Sequence, residues 1–147
     1  MEQQCFNVDY YAFYTFDRRD FELYLQDAET LFLTAILDGR IVGYVLGPVE
    51  TWQDPPAAHI DSIAVLPGMQ HRGIGSRLIE SFMQGARRLG CETVLLEVAP
   101  ANEAGLAFFA RYGFHKVHRL RNYYGKGLHG LLMAAPSALL PRNESDR

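Results

Sequence analysis

Residues 70–78 read Gln-His-Arg-Gly-Ile-Gly-Ser-Arg-Leu, two glycines astride one isoleucine at the head of a long amphipathic run. A fixed glycine costs conformational entropy, so a pair of them opening a helix marks a backbone that must approach something closely or turn tightly. The residues before the loop, His59-Ile-Asp-Ser-Ile-Ala-Val65, lean apolar and read as a strand. After it, Ile74, Leu78, Phe82, Ala86 and Leu89 recur every three or four residues, the period of a helix. A strand, a glycine loop and a helix in succession present backbone N–H groups and the positive end of a helix dipole to one point, which suits an anion. A tight turn without a ligand is the alternative.

Three glycine motifs compete for this loop. Gly68-x-x-x-x-Gly73 has the spacing of a phosphate-binding P-loop, but Ile74 and Gly75 stand where that motif needs Lys and then Ser or Thr. Gly73-x-Gly75 opens a dinucleotide fingerprint whose third glycine would fall on Leu78. The pattern left is Gln70-x-x-Gly73-x-Gly75.

Working outward, Gly90 stands where the helix C-terminus wants a left-handed residue. Thr93 to Val98 is β-rich, Asn102 can cap a helix running to Arg111, Gly113 ends it, and Phe114 to Arg119 and Leu128 to Ala134 read as strands. Upstream, Asp17 to Glu29 carries Phe21, Leu25 and Ala28 at helical spacing, and two apolar runs, Leu31 to Leu37 and Arg40 to Leu46, flank Asp38-Gly39 as a hairpin. Pro48 to Pro56 is a breaker-rich loop. This order predicts an α/β fold, a mixed central sheet with helices on both faces. Residues 1–136 read as one domain and 137–147 as a frayed tail.

Composition narrows the function. The chain has 147 residues, 48% of them apolar, enough for a core without disulfides or metal. A net charge of −3 with scattered basic residues argues against a nucleic-acid partner. Cys5 and Cys91 form no framework and read as reduced thiols, Cys91 buried. No apolar run is long enough for a membrane span, and the first residues lack the Lys or Arg of a signal peptide. A cytoplasmic protein is expected. His115 and His118 lie three apart on a predicted strand, on opposite faces, so no metal site is expected.

Six landmarks then follow in order. They are Ile63-Ala-Val65, the glycine loop, Leu96-Glu-Val98, Asn102, Ala107-Phe-Phe-Ala-Arg-Tyr-Gly-Phe114 and Asn122-Tyr-Tyr124. In this succession, over about Phe16 to Pro136, the chain resembles the GNAT N-acetyltransferases, and among them the bacterial ribosomal-protein alanine acetyltransferases. The resemblance implies a GNAT-type sheet and acetyl-CoA as co-substrate. It places Ile63, Ala64 and Val65 along the pantetheine and acetyl group, Gln70, His71, Arg72, Gly73, Ile74, Gly75 and Ser76 around the pyrophosphate, and Asn102 on the pantetheine arm. A plain helix cap is the other reading of Asn102. Relatives carry a strand and a helix before the segment like Asp17 to Glu29, where this chain has only Met1 to Phe16. A first strand that is shortened or supplied by another chain is expected, its aromatics packed in the core or lining an acceptor mouth.

The resemblance also implies a chemistry. Glu97 occupies the general-base position, and a carboxylate between Leu96 and Val98 is costly on an interior strand unless a cleft solvates or pairs it. A surface position at a strand end is the bland alternative. His59 is a second base candidate, and His59, Asp61 and Ile63, each two apart, are expected to share one strand face. A solvated polar face explains that pair as well. Tyr123 and Tyr124 would shape the acceptor mouth or simply pack as aromatics, and either, Tyr123 or Tyr124, could stand in as the acid if it reaches the sulfur. On the cofactor side, Phe109 replaces the tyrosine that usually protonates the departing thiolate. A thiol pKa of about 8.5 makes release of the bare thiolate near pH 7 cost only about 2 kcal/mol, so its absence need not abolish turnover. An α-amine, with a pKa near 7.8 against about 10.4 for lysine, reaches its neutral form for roughly 3.5 kcal/mol less. A protein N-terminus is therefore the expected acceptor, a small amine the enzyme alternative and a noncatalytic acyl-CoA-binding module the alternative of another class. A monomer or homodimer is expected.

Overall fold

Asp38 and Gly39 both have positive φ, at 50° and 77°, the two-residue turn whose twist matches paired strands. They join β1 (Thr30–Leu37) to β2 (Arg40–Glu50). The computed structural model describes residues 18–138. The expectations for the first strand, Cys5 and the amino-terminal aromatics lie outside them, as does the tail from residue 139.

The remaining elements are α1 (Arg18–Gln26), β3 (Ala57–Ile60), β4 (Ser62–Val65), a 3-10 turn at Pro67–Met69, α2 (Ile74–Arg88), β5 (Thr93–Val98), α3 (Glu103–Ala110), β6 (His115–Gly125) and β7 (Leu128–Pro136). The strands form one mixed sheet in the order β1-β2-β3-β5-β7-β6, with β4 also paired to β2. β3 and β5 run parallel and the other pairs antiparallel.

α2 buries Leu78, Ile79, Phe82, Met83 and Ala86 against Val45, Ala58, Ile60, Val94 and Leu96, which makes the main core. Each fully buried side chain of this size contributes about 1.5–3 kcal/mol. The helix ends as its sequence indicates: Gly90, at φ 83°, donates to Arg87 O, and the Cys91 N–H donates to Ala86 O. Cys91 is buried, and burial raises its thiol pKa.

α1 covers the other face. Phe21 stands edge-on to Tyr44 at 5.2 Å, and Phe21, Tyr24 and Phe32 pack on Tyr44, Leu46 and Ala64. This corrects the inward face read from the sequence: Leu25 is 67% exposed, and Ala28 lies beyond the helix. The helix stops early because Asp27 turns its carboxylate onto the Glu29 N–H and the Thr30 hydroxyl. β2 runs four residues past its expected end, where Val49 and Glu50 pair with β3, and β6 continues through Tyr124. Ser137, the expected start of the frayed tail, is buried, with its N–H donating to Glu92 O.

Candidate active site

The segment expected to be one strand from His59 to Val65 is two. Asp61 and Ser62 both stand against Leu46, with the Asp61 N–H donating to Leu46 O at 2.9 Å, so Asp61 is the extra residue of a β-bulge. Gly47 makes room for it: a Cβ there would lie 1.6 Å from His59 O. The bulge shifts the alternation by one. Ala58 and Ile60 face the main core before it, and Ile63 and Val65 face the same core after it. Ile63 therefore does not share a face with His59; Ser62 and Ala64 do, which corrects the sequence expectation.

The bulge also ends the pairing with β5. β3 is matched to β5 from Ala57↔Thr93 to Ile60↔Leu96, whereas β4 pairs with β2, and Glu97 and Val98 pair with β7. Two parallel strands thus part into a cleft at Glu97.

Glu97 lies on the α1 face, since its neighbours Leu96 and Val98 are buried on the α2 side. His59 Nε2 is 2.8 Å from the Glu97 carboxylate, and His59 Nδ1 bonds to the Asp61 carboxylate. All three side chains are mostly buried, at 15%, 14% and 22% exposure for His59, Glu97 and Asp61. Burial by itself would lower the His59 pKa, but the hydrogen bonds and charges of Asp61 and Glu97 outweigh it and raise it to about 10. His59 is therefore an imidazolium at neutral pH, donating from both nitrogens. A fourth group extends the network, which no motif in the sequence announces. The Tyr24 hydroxyl of α1 donates to Asp61, and burial together with that bond pushes its pKa up. Beside it an open depression of about 320 Å³ is lined by Asp20, Leu23, Tyr24 and Asp27.

At the other end of β4 lies the glycine loop. The Gln70 side-chain amide donates to Val65 O at 3.1 Å and ties the loop to the strand. His71 and Gly73 take left-handed φ values of 62° and 78°. Gly73 occupies the cap position of α2, where no side chain caps the helix and no acidic residue stands in the first turn. Arg72 and Arg77 are exposed beside it, and Ile74, Gly75 and Ser76 form the half-buried first turn. Gly75 packs closely, a Cβ there meeting the Phe108 ring at 3.5 Å. The end of the helix dipole is open to an anion with cations on either side.

The other expected residues divide. The Asn102 side chain accepts from the Gly105 N–H at 2.9 Å and caps α3. Phe109 is buried between Phe108 and Phe114, at 5.2 and 5.7 Å between ring centroids. Tyr124 is buried and stands edge-on to the half-buried Tyr123 at 4.8 Å. Tyr123 lies over Gly130, where a Cβ would be 3.0 Å from its own. His115 and His118 oppose Ala134 and Leu132, so they share a face; a bulge at Val117 overturns the opposite faces read from the sequence. No described helix is long and apolar enough to cross a membrane.

Known proteins agree with this architecture. Residues 2–114 match the model of the Acetyltransferase (GNAT) family. The chain is 35% identical over 123 residues to an N-alpha-acetyltransferase of Sulfurisphaera tokodaii, covering 77% of this chain and 73% of that one. It is 36% identical over 67 residues to the [ribosomal protein bS18]-alanine N-acetyltransferase of Escherichia coli, 46% of this chain and 45% of that one. The crystal structure of the Escherichia coli ribosomal-protein-S18-alanine N-acetyltransferase superposes with a TM-score of 0.77 at 24% identity, over 97% of this chain and 86% of that one. With its splayed parallel strands and glycine loop, the chain belongs to the GNAT acetyltransferase family.

Proposed function

We propose that this protein is an acetyl-CoA-dependent N-acetyltransferase that acetylates the α-amine of a protein or peptide N-terminus. The observation that carries the reading is the position of Glu97, held by His59 at the point where β4 and β5 part. N-alpha-acetyltransferase relatives support the acceptor class.

Acetyl-CoA supplies the activated acyl group and the thiolate leaving group. The chain does the rest. The loop from Gln70 to Ser76 fits a diphosphate, with an uncapped helix end, left-handed backbone at His71 and Gly73, and flanking arginines. Ile63, Ala64 and Val65 offer the edge of β4 that faces away from β2 to the pantetheine arm, and Asn102, the cap of α3, is the residue assigned to hold that arm. Glu97 takes the proton of the attacking amine. His59 and Asp61 act through it, because an imidazolium donating from both nitrogens has no lone pair to offer. Tyr123 and Tyr124 wall the acceptor side, and Phe109 leaves the thiolate to depart without a tyrosine proton. The reaction takes place in the cytoplasm, without metal.

The test is thiol release from acetyl-CoA with short peptides of varied first residue, polyamines and free amino acids as acceptors. Peptide-dependent release supports the reading. Release with polyamines alone makes this a small-amine acetyltransferase, and CoA binding without release to any amine makes it a binding module.

A further inference from the structure

α1 sits on the sheet face that carries His59 and Glu97, and Tyr24 reaches from it to the bulge. Three hydrogen bonds then run in series. Tyr24 donates to Asp61 Oδ2, Asp61 Oδ1 is bonded to His59 Nδ1, and His59 Nε2 is 2.8 Å from Glu97. The chain spans residues 24, 61, 59 and 97 and ends in the cleft. Asp61 sits on a bulge, and its carboxylate retains access to water. With a donor on each oxygen it cannot rotate without breaking one bond, whereas with His59 alone it could swing toward solvent.

We propose that Tyr24 is a positioning residue for the acetyl transfer: by fixing Asp61 it fixes the His59 ring, and through the ring it orients the Glu97 carboxylate. The inference rests on Glu97 as the base. It gives α1 a part in the chemistry, since an acceptor seated in the depression beside Tyr24 bears on the same hydrogen-bonded series. Among the described residues, the charged and titratable groups facing Tyr24 are Asp61 at the bulge, Asp20 on α1 and Tyr123 on β6; those facing His59 are Asp61 and Glu97.

The test uses the full chain with Tyr24→Phe, Asp61→Asn and the double variant. Tyr24→Phe deletes one oxygen and keeps the ring packed. An NMR titration of the His59 ring, which needs no substrate, is expected to show its midpoint about one pH unit lower in Tyr24→Phe, where the Asp61 carboxylate swings off the ring, and lower still in Asp61→Asn, where its charge is removed. With a peptide acceptor, kcat is expected to fall about tenfold in Tyr24→Phe with KM for acetyl-CoA unchanged. The double variant should be no slower than Asp61→Asn, as for residues acting in one series. A wild-type His59 midpoint in Tyr24→Phe overturns the proposal. So does a lowered midpoint with unchanged kcat, or losses that add in the double variant. If the wild-type protein acetylates no amine, the functional reading fails, while the titration still decides whether Tyr24 orients His59.

Discussion

Glu97 and His59 have separable roles that measurement can distinguish. Glu97→Gln keeps a hydrogen-bonding partner for His59 but cannot take a proton, so kcat should fall by about 10²–10⁴-fold while acetyl-CoA binding is unchanged. Unchanged turnover across the pH range would remove Glu97 as the base. His59, besides holding Glu97, also bears on stability. Its folded pKa, about 10, lies above the ordinary 6.5, so its contribution is fully present below pH 6.5 and is lost as pH rises through about 10. Urea unfolding should therefore show wild type losing more stability than His59→Gln between pH 6.5 and pH 10. Parallel losses would show that His59 is not held as an imidazolium. The sequence placed both residues near the base position but left open whether they met; the 38-residue separation of the pair carries no local signal.

The elements around the cleft depend on two glycine sites of different kinds. At Gly47 the constraint is contact, because a Cβ would overlap the His59 carbonyl. Gly47→Ala should destabilise by about 2–4 kcal/mol in denaturant unfolding and should disturb the bulge that aims His59. Wild-type stability would mean that the bulge tolerates a side chain. At the head of α2 the constraint is charge. Ser76→Asp places a carboxylate in the first helical turn, which should leave stability unchanged or raise it by about 0.3–1 kcal/mol through the helix dipole. The same charge repels a diphosphate, so CoA should bind about tenfold more weakly, a change of roughly 1.4 kcal/mol. Intact CoA affinity in Ser76→Asp would contradict the loop assignment. The glycine loop, the Asp38-Gly39 turn and the Gly90 helix end were legible because each is a local conformational demand with a residue-type signature. The bulges at Asp61 and Val117 were not. A one-residue slip is set by how two strands pair and has no residue-type signature, and it reversed the assigned faces of Ile63 and of His115 and His118.

The proposed base and the proposed diphosphate loop lie toward opposite ends of one bulged strand. β4 leads into the glycine loop, β3 carries His59, and Glu97 stands between them where β5 turns away. α2 fills the core beneath the sheet, and α1 closes the opposite face with Tyr24 on the network. The order of elements was legible from periodicity and turn residues, and the resemblance followed from landmarks in register. The inward face of α1 was not, because Phe21, Tyr24 and Leu25 are all compatible with one helical face and only packing on Tyr44 chooses among them.

Acceptor choice belongs to the whole molecule as well, since an amine of lower pKa reaches its neutral, nucleophilic form at less cost. The direct measurement is mass-spectrometric mapping of the product formed from acetyl-CoA and a peptide that carries both a free α-amine and an internal lysine. A single acetyl group on the α-amine, with the lysine unmodified, is the predicted result. Acetylation of the lysine, or an unmodified peptide, would contradict the assignment.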